Sequence, residues 1–232
     1  MSSLASPTPH SAAQKFFAEG LGVALLLVSV VGSGIIAERV SGGNIGVALL
    51  LHSLAIGAML AVLIFIFGPV SGAHFNPLVT LAETWEGRLS KQLVLGYLIA
   101  QLAGAMLGVI ATHAMFALPL IQASTHVRSG MGQCFSEVLA TFGMMLLVLR
   151  RFSIPSAQIP WLIGAYITAA IWFTSSFCFV NPTVTLARSF SNTFSGIRLQ
   201  DVPGFAAAQI IGAVAALICS HWMGQQEKQH DA

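Results

Sequence analysis

Asn76-Pro77-Leu78-Val79-Thr80-Leu81-Ala82-Glu83 and Asn181-Pro182-Thr183-Val184-Thr185-Leu186-Ala187-Arg188 agree at six of eight positions. Asn is a favoured N-cap and Pro a favoured first helical residue, so each stretch reads as the start of a helix. Each is apolar and follows a long apolar run, yet is too short to cross a bilayer, which takes about 20 residues. Other features recur around them in the same order. A lone glutamate opens each half at Glu19 and Glu137, and Gln-x-x-Gly-Ala closes each half at Gln101 to Ala105 and Gln209 to Ala213.

Working outward, six long apolar segments flank the two short ones, at about 15–37, 45–68, 92–117, 131–149, 159–177 and 203–223. Ser41-Gly42-Gly43, Leu118-Pro119, Ser129-Gly130, Ile154-Pro155 and Val202-Pro203 punctuate them. The composition agrees: 56% of the 232 residues are hydrophobic and only 8% are charged, against roughly a quarter charged in a soluble domain. No Asp, Glu, Lys or Arg stands between Arg39 and Glu83, Lys91 and Arg128, or Arg151 and Arg188. A water-soluble globule is excluded. A β-barrel is disfavoured too, because its strands alternate in polarity over about ten residues, whereas these runs are continuous. The net charge of +2 includes no basic run that would take nucleic acid, and the three cysteines form no CxxC or other metal-ligand spacing.

The expected fold is an all-α membrane protein of six transmembrane helices plus two re-entrant half-helices. Three spans per repeat is an odd number, so the second copy enters from the opposite side and the repeats are inverted. The two Asn-Pro starts can then meet near the bilayer midplane. The predicted layout is a disordered tail over 1–14, one transmembrane channel domain over 15–223 (repeats at about 15–117 and 131–223), and a tail over 224–232. With both termini cytoplasmic, Lys15, Arg88, Lys91, Arg150, Arg151 and Lys228 lie inside, and Arg39, Arg128, Arg188 and Arg198 lie outside. That is a small excess in the direction of the positive-inside rule.

Ser71-Gly-Ala-His-Phe-Asn-Pro, the second Asn-Pro, the paired glutamates and Tyr97-Leu-Ile-Ala-Gln-Leu-Ala-Gly-Ala resemble the aquaporin (major intrinsic protein) superfamily, over about Phe16 to Trp222. The resemblance implies a homotetramer in a lipid membrane, with one pore per protomer, and no cofactor or metal. Two departures stand out. The family's Asn-Pro-Ala reads Asn76-Pro77-Leu78 and Asn181-Pro182-Thr183, and the pore-lining Arg usual after the second triplet is Val184. The valine resembles a bacterial subgroup associated with arsenic-resistance genes, which points to a bacterial inner membrane.

These features give each candidate residue a role. The positive ends of two opposed half-helices, with the Asn76 and Asn181 amides, can donate to a solute oxygen while repelling cations. Family spacing places the constriction at Ile56, Ala169, Cys178 and Val184, without charge or aromatic ring, so the filter is expected to be wide and apolar. Glu19 and Glu137, with Gln101 and Gln209, are expected to hold the re-entrant backbone. His74 is expected in the cytoplasmic vestibule. Arg188 lies one turn beyond Val184 and is either a displaced cationic ring at the outer mouth or a guanidinium bonding loop carbonyls. Cys178 is a small wall residue or a ligand for soft species. His52 and His113 are expected to be packed, and Gly104 and Gly108 to let helices approach.

A passive channel for water and small neutral solutes, including glycerol-like polyols and arsenous acid, is the expected function. The alternatives are a strict water channel or an ion-coupled secondary transporter, the latter because intramembrane glutamates occur there. No Ser-His-Asp set or phosphate loop is present to support an enzyme.

Overall fold

The structure, a computed structural model, describes residues 10–230. The expected N-terminal tail falls outside the described residues up to residue 9. Helix α1 (Ala12–Val40) starts three residues earlier than predicted, because Ser11 and Gln14 form a capping box that satisfies two end groups at once. The first repeat continues with α2 (Ile45–Ser71), the short α3 (Pro77–Trp85) and α4 (Val94–Met115). The second holds α5 (Met131–Arg150), α6 (Ile159–Phe173), the short α7 (Pro182–Arg188) and α8 (Val202–His230), which runs through the tail expected from 224. No strand occurs among the described residues.

Five helices are long and apolar enough to cross a membrane, and α6, at 15 residues, is shorter. At 1.5 Å per residue α6 covers about 22 Å. Its predicted segment, 159–177, is cut at Thr174, where extended backbone begins the second re-entrant loop. The equivalent α2 reaches Ser71 and is stopped by Gly72, whose φ of 90° suits a residue without Cβ. Large apolar side chains such as Leu54, Ile99, Leu107, Ile211 and Ile218 are exposed around the outside, a surface that lipid covers and water does not. The protein is a multi-pass membrane protein.

Within each repeat the first helix packs on the last, α1 on α4 and α5 on α8, and α2 packs on α6 across the repeats. Small residues set these crossings. A Cβ on Gly104 would lie 2.1 Å from the Gly20 carbonyl oxygen, and one on Gly57 2.5 Å from that of Gly164. Helices so close leave room at the centre only for the two short ones, which enter from opposite sides and meet.

Candidate functional site

Asn76 caps α3 and Asn181 caps α7. Each side-chain oxygen accepts from the backbone N–H two residues on, Leu78 N at 3.0 Å and Thr183 N at 3.1 Å. That bond fixes the amide, and its nitrogen then reaches the opposite repeat. Asn76 Nδ2 donates to Val180 O at 2.8 Å, and Asn181 Nδ2 donates to Phe75 O at 2.7 Å. The two half-helices are thus stitched tip to tip by reciprocal bonds. Each amide carries two N–H groups, so one on each remains beyond this pair of bonds. Leu78 and Thr183, each next to Pro77 or Pro182, are buried beside the tips and lie off the central cavity.

The loops leading to the tips are strained in the same way. Ala73 and Phe75 have φ of 50° and 51°, and their repeat counterparts Cys178 and Val180 have 52° and 47°. Left-handed conformations cost non-glycine residues of order 1–3 kcal/mol each, unless the surroundings enforce them. Here alternate left-handed residues turn successive N–H groups to one side, a nest for a carboxyl group. Glu19 accepts from His74 N (2.9 Å), Phe75 N (2.8 Å), Ser71 Oγ (2.7 Å) and Gln101 Nε2 (2.8 Å). Glu137 repeats this with Phe179 N (2.9 Å), Val180 N (2.9 Å), Ser176 Oγ (2.6 Å) and Gln209 Nε2 (2.7 Å). Both glutamates are fully buried, and every oxygen is committed to a loop or a glutamine.

A single cavity of about 570 Å³ runs past these tips, bordered by Arg151 and Ser156 at one end and by Cys178, Val184 and Arg188 at the other. Asn76, Asn181 and His74 border it between. Ile56 does too, and its wall is mostly apolar. Ala169 does not belong to the wall. It is exposed on the outer face of α6, while Ile163, Ile167 and Ile171 face the cavity. Four-residue spacing keeps those isoleucines on one helical face, and Ala169, two residues from Ile167, points the other way. Family spacing did not keep the helical phase of α6, and the isoleucine stripe in the sequence was the signal that would have kept it.

Both ends carry arginines. At the Arg188 end, Arg128 donates to Gly196 O (2.7 Å) and Phe194 O (3.1 Å) and lies over the Phe177 and Phe179 rings. Burial, opposed by the Glu137 charge, brings this guanidinium down to about 10, so it keeps its charge at neutral pH. Arg188 is 3% exposed and donates from Nε to the Ser195 carbonyl. Between the ends, His74 Nδ1 stands 3.2 Å from Thr80 Oγ1 and its ring lies against Tyr97. His52 pairs with Ser33 and His113 with Ser191 and Leu120 O, so both histidines are packed.

The chain matches the model of the major intrinsic protein family over residues 7–177. It is 49% identical over 208 residues to a Rhizobium meliloti protein named aquaglyceroporin AqpS, covering 90% of this chain and 89% of that one. The chain belongs to the major intrinsic protein family. More distant members include the glycerol uptake facilitator protein-like 6 of Lactiplantibacillus plantarum, 26% identical over 92% of this chain and all of that one. The aquaporin Z of Bradyrhizobium diazoefficiens is 26% identical over 92% of this chain and 94% of its own. Among solved structures, the aquaglyceroporin from Plasmodium falciparum superposes with a TM-score of 0.69 at 20% identity, covering 91% of this chain and 95% of that one, a likeness of fold.

This major intrinsic protein also carries a lock at the Arg151 end that sequence reading missed. Glu83, at the far end of α3, accepts from Arg88 (Nη2, 2.9 Å) and from Arg151 at the end of α5 (Nη2, 2.6 Å). Both guanidiniums stack on Phe152. The only sequence signal was an acid at 83 beside two basic helix ends. Burial alone would raise the Glu83 carboxyl, but the Arg151 and Arg88 hydrogen bonds and charges outweigh it and hold it at about 2. A carboxylate depressed in the folded state stabilises the fold fully above its ordinary value of 4.5 and loses that effect as pH falls through about 2. The unfolding temperature in detergent is therefore expected to fall more steeply between those pH values in the parent than in Glu83→Gln. Parallel curves would count against the lock.

Proposed function

We propose that this protein is a passive channel for water and small neutral solutes, among them glycerol-like polyols and metalloid hydroxides such as arsenous acid. One observation carries the reading. The two buried Asn-Pro tips meet through reciprocal bonds, and a continuous cavity passes them. Such a passage needs no energy source, and its width at Ile56, Ile171, Cys178 and Val184 is set by side chains without charge or aromatic ring. The names of the aquaglyceroporin and glycerol-facilitator relatives agree with solutes larger than water. The buried glutamates, bound on every side, are scaffolding and not proton carriers.

The protein is proposed to sit in a bacterial inner membrane with both termini cytoplasmic, as a homotetramer with one pore per protomer. Arg88 and Arg151, gathered on Glu83 at one mouth, would then face the cytoplasm, as the positive-inside rule favours. Purified protein in liposomes should swell in a glycerol or arsenous acid gradient at a rate that uncouplers do not change. Swelling no faster than that of empty liposomes, or flux abolished by an uncoupler, would overturn the channel.

A further inference from the structure

The outer end of the cavity has an arginine after all, though not where the motif would put it. Arg188 is the last residue of α7, four residues and about 6 Å along the axis from Val184 and on the same face. It borders the cavity together with Val184, Cys178 and Phe177. Its guanidinium lies on the Phe179 ring, 3.4 Å from the ring centre, with Nε tied to Ser195 O. Its Nη2, by contrast, is buried and has no hydrogen-bond partner among the described residues. Buried charged donors seldom go unpaired, because the cost exceeds that of a neutral group. A guanidinium that borders the solute passage, held rigidly at Nε and unsatisfied at Nη2, is placed to bond an oxygen that enters the passage beside it.

The surroundings agree in sign. Arg128 also lies over the Phe179 ring, and over Phe177. Arg198 balances Asp201, while Glu137 accepts only from neutral donors and keeps its charge. Arg128 and Arg188 together outweigh that one carboxylate, which leaves this mouth net positive.

We infer that Arg188 supplies, from one turn beyond the motif, the hydrogen-bond donor and the positive charge of the outer constriction. The site takes neutral solutes bearing a carbonyl or hydroxyl oxygen and turns back cations of the same size. The position of the guanidinium, set back by a turn, leaves the width beside Val184 intact, so polarity and width are controlled by different residues. The inference rests on the channel reading.

Urea and guanidinium are planar, nearly isosteric and differ in charge, and their flux into liposomes holding the protein tests it. The parent is expected to pass urea at least 100 times faster than guanidinium. In Arg188→Gln the guanidinium flux relative to water should rise at least tenfold. Arg188→Lys keeps the charge but loses the fixed planar donor, so cations should stay excluded while urea flux falls several-fold. Equal passage of urea and guanidinium in the parent overturns the assignment, whatever the variants do. So does an Arg188→Gln protein that excludes guanidinium as the parent does. Should that variant not fold, the lysine protein decides, since unchanged urea flux there overturns the donor role. Absence of any water or glycerol flux in the parent would instead sink the channel reading itself.

Discussion

Glu137→Ala should leave little folded protein. The substitution strips the acceptor from Phe179 N, Val180 N, Ser176 Oγ and Gln209 Nε2 together, all of them buried. Two orphaned backbone N–H groups alone cost about 2–6 kcal/mol, at 1–3 each, against a typical total stability of about 5–15 kcal/mol. The strained loop adds to the loss, because Cys178 and Val180 keep their left-handed conformation only while the nest is filled. Glu19→Ala should act alike on the first re-entrant loop. Glutamine at either position keeps one acceptor oxygen and should fall between parent and alanine. Thermal unfolding in detergent measures all of these. A carboxyl group that served as a proton carrier would behave otherwise, with glutamine abolishing transport at nearly unchanged stability.

Val184→Arg is expected to cut glycerol permeation relative to water by about tenfold or more, since pockets discriminate by one to three kcal/mol for changes as small as a methylene. The longer side chain would project into the cavity beside Cys178 and across from Ile56, on the face already used by Arg188. It adds bulk and a second charge at an apolar stretch of the wall. Stopped-flow light scattering of proteoliposomes with glycerol and with an impermeant osmolyte gives the ratio. An unchanged ratio would show that the width at position 184 does not control the larger solute.

The features legible in the sequence were those written locally and written twice. Asn-Pro is a helix start in any context, and its repetition with Glu19, Glu137, Gln101 and Gln209 in matching order disclosed the inverted halves. The lengths of the uncharged runs gave the spans. What could not be read depended on phase or on distant partners. Ala169 was misplaced because family spacing did not keep the helical phase of α6, and the end of α6 at Phe173 is fixed by the loop that follows. The Glu83 lock joins residues far apart in the chain, and nothing local at Arg151 marks its partner. The bond from Arg188 Nε to Ser195 O, and the lack of one at Nη2, are matters of tertiary contact alone.

An experimental density map of the protein in lipid, fine enough to show ordered water, puts the account to its most direct test. Peaks should run in an unbroken file from the Arg151 end to Arg188, passing within hydrogen-bonding distance of the Asn76 and Asn181 amides. A file interrupted by protein at the two asparagines, or asparagines drawn apart from the Val180 and Phe75 carbonyls, would contradict it.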